Sequence, residues 1–389
     1  MIYLLFFGCL YIFSLIESSV KNISIKQKQI LLFLSFLFFV FIAGFRYKTG
    51  YDWNAYMTYF NRIDEPNILS RMEIGYGFLN LFFKTTFNNF HLMNLTINVV
   101  CTLILFKFCK RYSVLPITTL LFYAGAGGFF FSYNMGLTRQ YIALSISLLT
   151  VHFIFQQKKI SAIISLIIAF LFHKSAFITL LYFICYKIKL TKSIRLFCVG
   201  ITIFLTLWGN FIIRNFLTFF FDLSFLPSFI VKYKPYIYNS IWSTQAEFSS
   251  GLGYFTILLM LIVVFFLYHN ETYSVNFIFN AVLVGLFIAS FGRNINILGR
   301  LAKYFDIFNM FIFIYLIEII RSKSKIVLFP AIFMIMLLYC ILIPYKFTKG
   351  ISPVDGQSNW SMFYPWQSFI LPVENAERNE RMQRINQFR

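Results

Sequence analysis

Charge is scarce in this sequence, and negative charge scarcer still. Of the 389 residues 12% are charged, with 14 Asp and Glu against 34 Lys and Arg. A soluble domain carries about a quarter charged residues, so a fully hydrated surface cannot be built from this chain. Cysteine is sparse as well: Cys9, Cys101, Cys109, Cys185, Cys198 and Cys340 all fall in or beside apolar runs, and no CxxC pair occurs. That excludes a disulfide scaffold or a zinc ribbon and leaves the thiols as packing residues. There is no Walker A loop, GxGxxG, HExxH or GxSxG, which removes the usual frames for nucleotide, dinucleotide, zinc-protease and serine-hydrolase chemistry. No DxD or ExD pair stands in the loops assigned below to the outer face, so no carboxylate pair for a divalent cation is expected there, and no cofactor.

What is abundant is apolar length. The chain is 59% hydrophobic with mean hydropathy +0.73 and contains 54 Phe. About 20 apolar residues cross a roughly 30 Å hydrocarbon core as a helix, and such runs recur from Ile2 almost to Pro344. The start, Met1-Ile2-Tyr3-Leu4-Leu5, lacks a basic n-region and a small-residue cleavage site, so a retained first helix is expected rather than a signal peptide.

The net charge of +20 is placed in a telling way. Lys21, Lys26 and Lys28; Lys107, Lys110 and Arg111; Lys158 and Lys159; Lys187, Lys189, Lys192 and Arg195; and Arg321, Lys323 and Lys325 each separate two apolar runs. Short basic hinges of this kind mark the cytoplasmic side of a membrane protein rather than a nucleic-acid surface. With them inside, spans are expected near 2–16, 30–45, 92–109, 114–131, 139–155, 160–172, 175–186, 195–216, 251–268, 275–292, 304–320 and 326–343. The expectation is one polytopic all-α membrane domain over 1–389 with about twelve transmembrane helices, outer loops 46–91 and 217–250 and a C-terminal tail 344–389. Both termini then lie outside. Ile74 to Phe90 reads as an aromatic interfacial helix on the outer face.

The run from Ile160 to Tyr186 is broken by His173-Lys174-Ser175 and reads as a short hairpin. His173 at its tip is an ionisable group at membrane depth, which should face protein or a water-filled cavity. Four arginines, Arg46, Arg139, Arg293 and Arg300, sit at outer helix ends, where orientation signals do not require them. One such arginine can simply snorkel to headgroups. Four together point to a shared anion site, since planar guanidinium forks match phosphate oxygens. Carboxylates able to serve as a base stand in the same loops: Asp52, Asp64, Glu65, Glu73, Asp222, Glu247 and Asp306. The aromatic loop from Phe219 to Phe248 is either a sugar-stacking surface or an interfacial belt.

Five segments then resemble the EpsG family, which groups with Wzy-type O-antigen and capsule polymerases. They are Phe45-Arg46-Tyr47-Lys48-Thr49-Gly50-Tyr51-Asp52-Trp53-Asn54-Ala55-Tyr56, Glu73-Ile74-Gly75-Tyr76, Leu137-Thr138-Arg139-Gln140-Tyr141-Ile142-Ala143, Ala169-Phe170-Leu171-Phe172-His173-Lys174-Ser175-Ala176 and, more weakly, Gly299-Arg300-Leu301-Ala302-Lys303-Tyr304-Phe305. Against the pattern R-x-x-x-G-T-D-Y-x-x-Y, this chain has Tyr51 for Thr and Trp53 for Tyr.

The resemblance implies a fold similar to lipid-dependent, GT-C-like glycosyltransferases and a multi-pass place in the bacterial inner membrane. It implies an O-antigen or polysaccharide polymerase that joins undecaprenyl-pyrophosphate-linked repeat units on the periplasmic face without a metal. A chain-length regulator protein is a possible partner in that reading, and nucleic acid is not one. Pyrophosphate and glycan would be bound by Arg46, Arg139, Gln140, Arg293, Arg300 and Tyr304, and the acceptor hydroxyl would be deprotonated by Asp52, Glu73 or His173, with Asp52 first. An O-antigen ligase, or a non-catalytic lipid-linked oligosaccharide flippase, is the alternative.

Overall fold

The structure is a computed structural model, in which residues 2–19, 23–50, 52–65, 71–126, 129–221, 249–268, 272–291, 296–323, 362–364, 366–370, 372 and 375–387 are described. Among them every regular element is helical, and the one β-type pairing is an antiparallel bridge between Arg46 and Ser368. The chain divides into two compact units, one of Met1–Thr179 with Ile320–Gly350 and Gln357–Arg389, the other of Leu180–Ile319 with Ile351–Gly356.

The first unit contains α1 (Ile2–Ser19), α2 (Ile25–Gly44), α3 (Trp53–Asn61), α4 (Ile74–Phe87), α5 (Phe90–Tyr112), α6 (Pro116–Ala126), a π-helical turn (Phe130–Asn134), α7 (Thr138–Phe155) and α8 (Lys159–Phe172). Helix starts follow their capping residues. Ser24 and Gln27 form a reciprocal capping box at the head of α2, and the Asn89 side chain accepts the Leu92 amide at the head of α5. The core is aromatic: Phe39 packs edge-on against Phe6, Phe106 and Phe130 at centroid distances of 5.1, 5.3 and 5.4 Å. At one end of this unit the Glu17 carboxylate of α1 accepts the Ile117 and Thr118 amides that open α6. At the same end Tyr112, closing α5, bonds His152 near the close of α7. The basic hinges at Lys107–Arg111 and Lys158–Lys159 therefore share that end.

The second unit holds a 7-residue α9 (Leu181–Lys187), α10 (Lys192–Phe221), α11 (Ser249–Leu267), α12 (Tyr273–Phe291) and α13 (Asn296–Asp306), and α14 (Asn309–Lys323) belongs to it as far as Ile319. Tyr182 centres its core, edge-on to Phe277, Phe305 and Phe308, with its hydroxyl donating to the Tyr304 carbonyl. Arg195 is buried between the Phe265 and Phe279 rings and donates to Asn276.

Among the described residues three helices are long and apolar enough to cross a membrane: Ile25–Gly44, Phe90–Tyr112 and Tyr273–Ser290. Shorter apolar helices accompany them at Ile2–Ser18, Pro116–Gly125, Lys159–Phe172 and Ile257–Leu267. Large apolar side chains stand exposed along them, among them Leu4, Phe33, Ile163, Ile167 and Phe266. The chain is a membrane protein: these side chains have acyl chains as their solvent.

Helices stand over the apolar runs among the described residues, but not every run is one continuous α-helix: 114–131 gives α6 and then the π-helical turn, and 175–186 opens as a 3-10 helix (Lys174–Leu180) before α9. The stretch 304–320 is not continuous, because α13 ends at Asp306 and α14 begins at Asn309 after a turn closed by the Phe308 amide on the Phe305 carbonyl. The span expected at 326–343 lies outside the described residues, as does nearly all of the 217–250 loop. The helix Ala376–Gln387 of the tail, α15, belongs to the first unit.

Candidate functional site

The site lies at the end of the first unit away from the basic hinges. The close of α2, the heads of α5 and α7 and the close of α8 meet here, held by polar side chains on residues that helix periodicity alone would assign to packing. Asn94 of α5 donates to the Gly44 carbonyl at 3.2 Å and accepts from Arg46 Nη2 at 3.2 Å. Arg46 Nη2 also reaches Thr138 Oγ1, the first residue of α7, at 3.4 Å. Arg139 follows directly, so two of the four arginines expected to share a site, Arg46 and Arg139, stand at the same end of this unit.

Glu73 is the junction. It stands at the N-cap position of α4 but makes no capping bond, and its carboxylate points instead to α7 and α8. Oε2 accepts from Arg139 Nη1, and Oε1 lies 2.9 Å from His173 Nδ1. His173 ends α8 in an extended conformation, φ −158° and ψ 119°, which turns its ring out of the helix and toward Glu73. Gly75 allows this approach: a Cβ there would lie 3.0 Å from the Leu171 carbonyl oxygen, so the first turn of α4 rests directly on the last turn of α8. The other end of α4 leads through the left-handed Asn88 into the head of α5. Both ends of α4 thus touch the same end of the unit, which lays this helix across the bundle end with Ile74, Phe78 and Phe82 exposed along one stripe.

Burial raises the Glu73 pKa, and the His173 hydrogen bond together with the charge of Arg139 outweighs it, holding the carboxyl at about 2. A carboxylate ionised at neutral pH can only accept, so His173 Nδ1 must be the donor, and in the neutral form of the ring the lone pair then lies on Nε2. Side-chain exposures of 28% for Arg139, 14% for His173 and 10% for Glu73 make Arg139 the most open face of the trio. The guanidinium of Arg139 also lies 5.8 Å over the Tyr56 ring, and Tyr56 lies tilted against Tyr76 at 5.3 Å.

Arg46 differs. It is 1% exposed, and among the described residues it has no carboxylate partner. Its Nε and Nη1 atoms make no hydrogen bond there. Burial pushes its guanidinium down to about 10, which leaves it charged at neutral pH. A buried charge without a counterion costs several kcal/mol, so this is a place where an anion would be stabilised.

Asp52 is buried at the head of α3, its Oδ2 3.4 Å from the Tyr56 hydroxyl. The carboxylate that pairs with His173 is Glu73, not Asp52. Gln140 is buried in α7. Arg300 and the fully buried Tyr304 lie on α13 in the second unit, and Arg293 lies outside the described residues. Asn94, Thr138 and Tyr56 were not singled out from sequence. For Tyr56 and Thr138 a signal existed, since both lie inside the quoted motifs. Asn94 shows only as a polar residue on the core face of α5.

These features define the class: a helical membrane protein with an arginine-rich, histidine-bearing polar site at one bundle end. Residues 29–367 match the sequence profile of the EpsG family, and the chain belongs to that family, which is associated with Wzy-type polymerase-like proteins of polysaccharide biosynthesis. No curated protein and no solved structure matches the chain.

Proposed function

We propose that the chain is a polysaccharide polymerase of the inner membrane, transferring a growing glycan from undecaprenyl pyrophosphate to the next lipid-linked repeat unit on the periplasmic face. The observation that carries this reading is the Arg139–Glu73–His173 constellation beside a buried, unneutralised Arg46. The basic hinges at the opposite end of the first unit support the outward orientation of that site, and the remaining spans of a roughly twelve-helix, GT-C-like bundle belong to the same proposal.

In the reaction the anomeric carbon–oxygen bond to pyrophosphate breaks as the acceptor hydroxyl oxygen bonds to that carbon. The hydroxyl proton passes to His173 Nε2. Glu73 holds the ring in the tautomer that makes Nε2 the acceptor and stabilises the imidazolium that forms, the part a carboxylate plays behind any catalytic histidine. Asp52, the first candidate from sequence, lacks such a partner arrangement with the histidine, and His173 is the better base on geometry. Negative charge collecting on the leaving pyrophosphate is met by Arg139, with Arg46 as a further donor.

The test is deletion of the gene in its host followed by gel analysis of the lipopolysaccharide. Chains carrying a single repeat are the expected product. Loss of every repeat would identify a ligase or a flippase instead.

A further inference from the structure

Arg46 Nε and Nη1 have no hydrogen-bond partner among the described residues, and the whole side chain is closed from solvent. The turn that follows it supplies the roof. A Cβ on Gly50 would lie 3.6 Å from Arg46 Nη1 and only 1.9 Å from the Met135 carbonyl oxygen, so the bare Gly50 backbone is pressed between the guanidinium and the chain that leads into α7. The turn holds Lys48 at φ 43°, a conformation costly for a residue with a Cβ, and Gly50 at φ 97°, which glycine adopts freely. A conformation like that of Lys48 persists where the surroundings impose it.

Here the C-terminal segment imposes it. Tyr47 N donates to the Gln367 carbonyl at 2.8 Å, Gly50 N to the Met362 carbonyl at 3.0 Å, and Phe369 N to the Phe45 carbonyl at 3.0 Å. The Phe369 ring stacks on Phe45 at 5.3 Å and on His91 at 4.9 Å. Arg378 of α15, itself 3% exposed, donates through Nη1 to the Lys48 carbonyl at 3.2 Å. The same nitrogen lies 3.5 Å from Thr49 Oγ1 and 3.4 Å from Gln367 Oε1, so a single guanidinium ties turn and strap together. The family match ends at residue 367, and Arg378 lies beyond it.

We propose that residues 362–364 and 366–370 together with α15 form a latched cover over an anion subsite at Arg46, with Arg378 as the latch, and that the cover lifts to admit a pyrophosphate group. This rests on the assignment of Arg46 to the anionic end of the substrate. Arg378 acts through the Lys48–Gly50 turn and is a positioning residue. With the strap raised, the turn loses its non-local hydrogen bonds to Met362, Gln367 and Arg378, and Nη1 is uncovered.

The test reads accessibility directly, so it does not depend on polymerase activity. Purified protein in lipid nanodiscs is treated with phenylglyoxal, and modification of Arg46 is followed by mass spectrometry. Arg378→Ala removes charge-assisted hydrogen bonds from the latch and should speed modification about 10- to 100-fold over wild type. A second variant keeps Arg378 and locks the strap: Phe45→Cys with Phe369→Cys places two thiols opposite each other beside the Arg46–Ser368 bridge. Oxidised, it should leave Arg46 unmodified and stop polymerisation, and reductant should restore both. Inorganic pyrophosphate and undecaprenyl pyrophosphate are then each tested for protection of Arg46 in the Arg378→Ala protein. Protection by the lipid-linked form alone assigns the subsite to lipid-borne pyrophosphate, and protection by both assigns it to the pyrophosphate group itself. Equal modification rates in wild type, Arg378→Ala and the oxidised pair would overturn the cover, and protection by neither compound would overturn the subsite.

Discussion

Glu73 and His173 stand 100 residues apart in the chain, and their side chains meet with Oε1 and Nδ1 separated by 2.9 Å. The same carboxylate accepts from Arg139. One residue thus sets the histidine tautomer and orients a guanidinium, and its removal should disturb two functions at once.

The pH dependence of stability tests that pairing. With the folded Glu73 carboxyl held at about 2 against about 4.3 in an unfolded chain, its contribution is fully present above the unfolded value and is lost as pH falls through the folded one. Thermal unfolding of wild type and Glu73→Gln in detergent should therefore differ most near neutral pH and converge as pH falls from about 4 through about 2. A difference that stays constant across that range would mean that Glu73 is not paired as described.

Gly75→Ala tests the contact that brings the pair together. The added Cβ would press on the Leu171 carbonyl at 3.0 Å, and the first turn of α4 must shift by a few tenths of an ångström to relieve it. Polymerisation should fall about tenfold or more, as catalytic geometry is lost over small displacements, while expression in the membrane is retained. Unchanged chain-length ladders would show that the α4–α8 approach does not set the site.

Much of this architecture is legible from sequence, and the reasons for the remainder are specific. Apolar runs bounded by lysine-rich hinges locate α2, α5, α7 and α8 because lipid demands uninterrupted hydrophobic length. The site is less legible, since it depends on long-range contacts. The motif around Arg46 marks that arginine as unusual, yet position at a helix end does not say whether the guanidinium faces outward, and the Asn94 and Thr138 side chains turn it inward. Which carboxylate His173 meets is hidden for the same reason, because only the α4–α8 contact at Gly75 brings Glu73 to it. The basic tail gives no apolar stripe long enough to announce a docked helix, and α15 buries Arg378, Arg381 and Met382 instead.

Arginine geometry separates phosphate binding from simple attraction by charge. Arg139→Lys and Arg300→Lys keep a cation but lose the planar fork, and each should lose most polymerase activity at wild-type expression. Normal ladders from both variants would favour arginines that merely snorkel to headgroups.

Metal independence has a direct check. Polymerisation by membranes or purified protein should continue in EDTA, because no DxD or ExD pair stands in the loops expected on the outer face. Activity lost to EDTA and regained with magnesium would contradict this.

The base is the centre of the account, and two conservative substitutions measure it directly. His173→Gln keeps a hydrogen-bonding side chain but removes the proton acceptor, and Asp52→Asn does the same at the residue that sequence favours. Both are assayed for donor binding, expression and ladder length. The account predicts that His173→Gln binds the lipid-linked donor and extends it about 10²–10⁴-fold more slowly, leaving single repeats, while Asp52→Asn still builds a ladder. Single repeats from Asp52→Asn together with a normal ladder from His173→Gln would contradict it and make Asp52 the base.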